Sequence, residues 1–403
     1  LLFQHLGIEQ NLTQTTLPFI YTDSRGFTWI GSINGVFRFD GLRVEHYEVN
    51  PDKPGSLKDG LMQSDFFEDS RGDLWFSSHK HLYRYVRKTN AFETILPKGP
   101  DGAAIGSSFR VLHLERDTLL WLVADSDIYT FNTQSRTAVR IITTQGVRFG
   151  TALDDKGRLK RIIECPWVMG TGIGIIDLAT KGSPVSRRVD TFDINGKPVS
   201  AEVSQALVDG DTTVWLCSNV GLLKINPLMP DRARRFEIPS EASRRIRNIV
   251  EINPQALLVS SSTGLWLFDK VSEKFIQNWR NDPASSKSIR QNQAQELYLD
   301  RNNTLWVSIY DKGIDYSPLQ TNHFLNPLTS LGAPEKRVTG ITQDKRFRIW
   351  CNVLNEGIYV FDTHGKLEKQ FNPKHTSRRA RLPGEVQFLY TDRNGEVWVI
   401  VSR

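Results

Sequence analysis

Cysteine and methionine are scarce, three residues of each in 403. Cys165, Cys217 and Cys351 stand far apart and form no Cys-x-x-Cys pair, which argues against a disulfide framework and a cysteine zinc site. No apolar run approaches the roughly 18 residues that a membrane-spanning helix needs. Phosphate-binding and dinucleotide-binding glycine loops, His-Glu-x-x-His and Gly-x-Ser-x-Gly are all absent. The sequence therefore points to no catalytic residue, no cofactor and no metal. Neither sign of charge dominates: Lys and Arg exceed Asp and Glu by 51 − 45 = 6, a mild excess that hints at acidic ligands without requiring them. The chain starts Leu1-Leu2 without Met and stops inside a strand-like run, Val399-Ile400-Val401. It reads as a piece of a longer protein, so the lack of a signal peptide or membrane helix is uninformative.

What the chain does have is aromatic bulk and a period. Its 10 Trp and 21 Phe suit an all-β protein with large side chains between sheets. Asp23-Ser24-Arg25-Gly26-Phe27-Thr28-Trp29 recurs as Asp69-Ser70-Arg71-Gly72-Asp73-Leu74-Trp75 and as Asp392-Arg393-Asn394-Gly395-Glu396-Val397-Trp398. Degraded copies end at Trp121, Trp215, Trp306 and Trp350, and Leu258 stands where another Trp would be. In the fourth unit Asp154-Asp155-Lys156-Gly157 is followed by Lys160 at the Trp position; Trp167, seven residues later, reads as the landmark after an insertion. The landmarks 29, 75, 121, 167, 215, 258, 306, 350 and 398 then define nine units of nearly constant length. Gly and an aliphatic residue follow most of them, as in Gly35-Val36, Gly221-Leu222 and Gly264-Leu265.

Each unit reads as four short strands. In the first, Leu17–Thr22, Trp29–Ser32, Val36–Phe39 and Val44–Tyr47 are β-rich and separated by turn residues. A four-stranded unit of about 40–50 residues, repeated, is the signature of a β-propeller, because one such sheet cannot bury both its faces alone. The Trp is expected to fill the space between blades, and the Asp-x-x-Gly turn to close the first hairpin of each.

These residues resemble the two-component regulator propeller repeat family. The opening Phe3-Gln4-His5-Leu6 and the stretch Phe27-Thr28-Trp29-Ile30-Gly31-Ser32-Ile33-Asn34-Gly35-Val36-Phe37-Arg38-Phe39-Asp40-Gly41 look like the first blade of such a sensor. The likeness is strongest in units one, two, eight and nine. It implies two seven-bladed propellers in tandem: residues 1–320 as the first, residues 321–403 as the two opening blades of a second, truncated one. A strand near Phe3–Leu6 would complete blade seven and protect its edge; a single eight- or nine-bladed ring is the alternative. The resemblance further implies a periplasmic, non-catalytic, ligand-sensing region of a hybrid histidine-kinase-type receptor. Its partners would be a small-molecule or oligosaccharide ligand and its own downstream signalling domains, with room for a homodimer. A propeller lyase and a protein-binding scaffold are the other readings. Nucleic acid is not expected, since no recognition helix or stacking motif accompanies the charge.

Loops on a rigid scaffold are where recognition concentrates. In a propeller the loops entering each first strand open on one rim. Here they are long: 48–62, 95–109, 186–203, 237–246 and 279–294. The residues at the start of the first strands are the ligand-binding candidates: Ser64, Asp65, Arg110, Ser204, Gln205, Arg247, Asn248, Gln295 and Glu296. Trp279, in a loop, is another, since an exposed indole stacks on sugar rings. Arginines cluster at Arg187-Arg188, Arg232 to Arg235, Arg244 to Arg247 and Arg378 to Arg381, which reads as solvated loops or as a surface for acidic sugars.

Overall fold

The Asp-x-x-Gly turn and the Trp that follows form one device. In the computed structural model, one oxygen of Asp23 accepts the backbone N–H groups of Arg25 (2.9 Å) and Phe27 (3.0 Å), and the other accepts the indole N–H of Trp29 (2.9 Å). Gly26 and Gly72 supply the left-handed φ, +88° and +79°, that the turn requires. The indole bond recurs between Asp69 and Trp75 (3.2 Å), Asp209 and Trp215 (2.9 Å), Asp300 and Trp306 (3.0 Å), Asp344 and Trp350 (2.9 Å), and Asp392 and Trp398 (3.1 Å). In the third unit Glu115 does this for Trp121 at 3.4 Å.

Held this way, the indole fills the gap toward the next unit. Trp29 packs among Leu57, Met62, Phe66, Phe76 and Tyr85, and Trp75 among Phe109, Val111, Leu120 and Phe131. Trp215 packs among Ile246, Ile249 and Phe268, and Trp306 among Ile20, Ile30 and Phe37. Leu258 plays the part in the sixth unit, against Leu297, Leu305 and Val307. A sheet exposed on both faces would be unstable alone; wedged between neighbours, it buries both.

The structure describes residues 1–12, 17–144, 148–153, 158–165, 172–178, 184–190, 201–227, 229–239, 243–319, 337–362, 366–374, 377 and 380–402. The chain forms two compact units, Leu1–Gln320 and Thr321–Arg403. The first is a seven-bladed β-propeller of four-stranded antiparallel sheets. Blade one is Phe19–Thr22, Thr28–Gly31, Gly35–Phe39 and Val44–Glu48, paired in chain order. The inner strands of blades two to seven are Phe67–Glu68, Phe109–Glu115, Arg148–Leu153, Val203–Asp209, Ile246–Asn253 and Ala294–Leu299.

Blade seven takes its fourth strand from the other end of the unit. Gln4–Leu6 pairs with Gly313–Pro318, His5 opposite Asp315, and so closes the ring. Asp315, 0% exposed, is the clasp. It lies 2.8 Å from His5 Nδ1 and accepts the backbone N–H (2.8 Å) and Nε–H (2.6 Å) of Arg290, whose other arm donates to the carbonyls of Leu6 (3.0 Å) and Ile314 (2.8 Å). The Gly of the Gly-aliphatic signature begins the third strand of blades one, five, six and seven against the outer one. Gly313 has φ +88°, and a Cβ there would lie 2.6 Å from the carbonyl oxygen of Leu6. Any larger residue would push the closing strand away.

The fourth blade corrects the sequence reading. Its second strand is Leu159–Cys165, and Arg161 stands opposite Ala152 and Asp177, the register position that Trp occupies in blades three and five. Arg161 is 6% exposed and its Nε–H donates to Asp177 at 2.5 Å. Trp167 lies outside the described residues, and the insertion is not what keeps the register. The second unit has one four-stranded antiparallel sheet, Val338–Gln343, Ile349–Val353, Gly357–Phe361 and Leu367–Phe371, and a hairpin, Val386–Thr391 with Val397–Val401. Trp350 packs on Val386, Leu389 and Val399, so these are the first blades of a second propeller.

Trp29→Ala is expected to cost about 3–5 kcal/mol of unfolding free energy in urea. Asp315→Ala, which leaves Arg290 without its buried carboxylate, is expected to cost about 3 kcal/mol. A loss within experimental error for either variant contradicts the role given to that residue.

Candidate functional site

The inner strands of the first unit surround a channel of about 1190 Å³. Seven of the sequence candidates line it: Ser64, Asp65, Arg110, Ser204, Gln205, Asn248 and Glu296. Apolar side chains line the same channel, among them Phe19, Ile20, Val111, Leu112, Phe149 and Leu297. Three candidates lie elsewhere. Arg247 and Gln295 do not line the channel, and their carbonyls serve the blade contacts: Ser204 Oγ donates to Arg247 at 2.7 Å and Ser260 Oγ to Gln295 at 2.5 Å. Trp279 is half-buried and packs against the core of Phe3, Leu265 and Ile289 between blades six and seven, away from the channel lining.

A β-bulge recurs where the inner strands begin. The register shifts between Val203 and Gln205, between Ile246 and Asn248, and between Ala294 and Leu297. A bulge puts two residues opposite one and re-aims the side chains beside it. Here it turns Gln205, Asn248 and Glu296, from three consecutive blades, onto one arc of the channel. Asn248 Nδ2 donates to Glu296 Oε2, which fixes the orientation of the amide. The remaining oxygen, Asn248 Oδ1, is sequestered in the wall without a donor, and so is Gln205 Oε1. Orphaned buried acceptors are rare in folded proteins, and each costs about 1–3 kcal/mol.

Asp65 and Arg110 face this arc from blades two and three. Arg110 donates to Gln63 Oε1 at 3.3 Å. Asp65 is exposed to the channel space and ringed by the blades around it. That confinement pushes its carboxyl up to about 6, against the opposing pull of Arg110. Gln63, His79, Ser108 and Asp125 complete the rim and were not among the candidates. His79 Nδ1 lies 3.3 Å from Ser108 Oγ, and Asp125 accepts the backbone N–H groups of Ser107 (3.2 Å) and Ser108 (3.1 Å). His79 and Asp125 sit in turns between second and third strands. Strand direction alternates, so these turns open on the same rim as the loops entering the first strands. That parity was available from sequence.

The rim loop is itself anchored. Asp59 accepts from Tyr83 Oη (2.8 Å) and Ser78 Oγ (2.5 Å) and lies 2.7 Å from His81 Nδ1. Burial raises this carboxyl, but the bonds from Ser78, His81 and Tyr83 outweigh it and hold it below its ordinary value. At the far end of the first inner strand, Tyr21 donates to Glu68 (3.2 Å), which also accepts from Ser24 and from Arg87 (3.1 Å). Burial, then Glu68, raises the Tyr21 phenol far above its usual range. The arginine clusters are largely engaged among the described residues: Arg234 with Glu273, Arg235 and Arg244 with Glu237, and Arg245 with Glu202.

The sign of the Asp65 shift yields a stability prediction. The folded chain holds this proton more tightly than the unfolded chain, whose carboxyl titrates near 3.8. Ionised Asp65 therefore opposes folding increasingly from pH 4 to about 6, and fully above that. Asp65→Asn is expected to melt higher than the parent at neutral pH and equal to it below pH 4, by calorimetry across pH. A gain that persists unchanged in acid contradicts the assignment.

No family model matches the chain, and no curated protein does. Solved structures do match. One is described as the extracellular domain of a hybrid two component system, BT3049, of B. thetaiotaomicron: TM-score 0.60, 18% identity, covering 99% of this chain and 52% of that one. Another is the extracellular domain of BT4673 from B. thetaiotaomicron, described both as a one component and as a hybrid two component system: TM-score 0.60, 16% identity, covering 99% and 51%. A third, YCF48 bound to D1 peptide, has TM-score 0.57 and 12% identity over 78% of this chain and 95% of that one. The chain spans about half the length of the two extracellular domains. At these identities the likeness shows the fold alone, which in this chain is a seven-bladed β-propeller and the opening blades of another.

Proposed function

We propose that the chain is the extracytoplasmic, ligand-sensing region of a two-component receptor, and that its ligand is an oligosaccharide held at the channel mouth. The observation that carries the reading is the rim itself. Polar side chains from blades two, three, five, six and seven converge on a channel that apolar side chains also line, with two amide oxygens left unbonded in the wall. A sugar presents hydroxyls to the polar side chains and its C–H face to the apolar ones. The fold shared with extracellular domains of two-component systems supports the sensory setting.

A ligand bound here bridges blades that are otherwise joined only through their neighbours. Binding then favours one arrangement of the ring over others, which is what any coupling to a downstream domain requires. It also stabilises the folded chain by about 2.7 kcal/mol at a concentration of a hundred times Kd.

Calorimetry of the purified chain against neutral, acidic and amino oligosaccharides tests the proposal. At least one class is expected to bind, and Arg110→Ala with Asn248→Ala to weaken it about tenfold, some 1.4 kcal/mol, while both variants melt as sharply as the parent. Unchanged affinity in the folded double variant removes the channel mouth from the account. Binding by no oligosaccharide of any class removes the ligand assignment.

A further inference from the structure

The aspartate turn between first and second strands recurs in blades one, two and seven and twice in the second unit. The third residue after the aspartate donates its backbone N–H to the aspartate carbonyl and takes a left-handed φ. It is Gly26 (+88°), Gly72 (+79°), Asn303 (+56°) and Gly395 (+73°), residue types that tolerate this region. In the turn begun by Asp344 the same position holds Phe347, at φ +60°, where a bulky side chain is disfavoured. No hydrophobic core among the described residues includes its ring, which is 67% exposed. A Cβ at Gly26 meets nothing within 4 Å, so the apex of this turn faces open space in the closed ring as well. A residue that strains its own backbone and packs on nothing points to a role outside the fold.

Cations surround that ring. Lys345 and Arg346 precede it, both exposed and forming no ion pair among the described residues. Arg393 is on the neighbouring turn, which the Lys345 N–H ties in through the Gly395 carbonyl (3.1 Å), and Lys366 is at the turn into the outer strand, at the same end of the sheet. Both are exposed and likewise without an ion pair among the described residues. The carboxylates beside them are engaged: Asp344 by Arg348 (2.7 Å), Glu368 by Arg348 (3.3 Å), Asp392 by Trp398 (3.1 Å) and Asp362 by the Lys366 N–H (2.8 Å). Glu396 is exposed and offsets one of the four charges. At the corresponding turns of the first unit, Arg71 is paired with Asp69 (2.9 Å), Lys160 with Asp211 (2.5 Å) and Arg301 with Glu68 (3.4 Å). Residues 321–403 hold 13 Lys and Arg against 8 Asp and Glu, +5 of the chain's +6.

We propose that this edge of the second unit docks on an anionic lipid surface, with Phe347 entering the interface and Lys345, Arg346, Lys366 and Arg393 lying against the headgroups. An apolar ring flanked by cations is the chemistry that holds at such a surface. A fluid surface accepts a single protruding ring. A stable protein contact needs about 800 Å² of matched surface from each partner, and the apex offers one ring among charges. Lipid docking is independent of the channel and of what it binds.

The test is co-sedimentation of the whole chain with vesicles of phosphatidylcholine, alone or with about a third phosphatidylglycerol. The chain is expected to bind the anionic vesicles about tenfold or more tightly, and less so as salt rises. Phe347→Gly restores the residue of the other turns, so it is expected to melt at or above the parent temperature and still lose about tenfold in affinity for the anionic vesicles. Lys345→Glu with Arg346→Glu is expected to lose at least as much. The exposed hairpin face of Phe388, Tyr390, Trp398 and Ile400 is common to all three chains, so a difference among them belongs to the apex. Equal binding to both kinds of vesicle, or unchanged affinity in either folded variant, overturns the proposal. So does a parent chain that stays in the supernatant with every vesicle; if that chain is a dimer which Phe347→Gly dissolves, the ring serves a second copy instead. A Phe347→Gly chain that melts clearly below the parent also overturns it, by giving the ring a place in the fold.

Discussion

The interaction on which the fold rests is the hydrogen bond from an indole N–H to an aspartate six residues earlier. One carboxylate does two things: it closes the turn between the first two strands, and it sets the ring of the tryptophan across the gap to the next blade. Blades one, two, five and seven are thus each tied to themselves and to a neighbour through one side chain pair. Cations reinforce it from the following blade. Arg87 reaches Asp23 at 2.9 Å and Lys270 reaches Asp209 at 2.7 Å, so the carboxylate is shared across the seam. Burial raises the Asp209 carboxyl, but Lys270 and Trp215 outweigh it and hold it below its ordinary value.

A chain of such wedges makes a ring only if its ends meet. The closing strand, Gln4–Leu6, is short, and three residues of pairing would be a weak latch by themselves. The buried Asp315 and the Arg290 fork convert it into a clasp, and Leu6 is covered by the core shared between blades seven and one. Closure is what turns the inner strands toward a common axis and gives the channel two rims of different chemistry. One is an open mouth of amides and carboxylates; the other is crossed by the Glu68 network that ties Tyr21, Ser24 and Arg87 together.

Much of this was legible in the residues. The Asp-to-Trp spacing carries the blade boundaries because it is covalently local, six residues whatever the loops do. The Gly-aliphatic pair is legible for a similar reason, since a Cβ at Gly313 or Gly264 would strike the carbonyl of the outer strand. Leu258 could be placed because its flanking residues keep the pattern. The fourth blade could not, because a buried Arg161, ion-paired to the half-buried Asp177, fills the Trp position, and nothing in a hydrophobic pattern announces an arginine there. At the mouth, strand alternation alone misdirects: the bulges shift the register by a residue, so Gln205 and Asn248 line the channel while Arg247 and Gln295 lend their carbonyls to a neighbouring blade. Trp279 reads as a loop residue in sequence, yet ends an outer strand and packs against the core.

Rigid blades and a polar rim together make a specific claim: recognition happens across the channel, at the beginnings of the inner strands, and not on the outer edges of the sheets. Amide hydrogen exchange with and without a saturating oligosaccharide measures this directly. The account predicts slowed exchange at 61–66, 108–112, 203–206, 246–249 and 294–298, with the outer strands unchanged. Protection confined to outer strands or to the loops beyond the rim would contradict it.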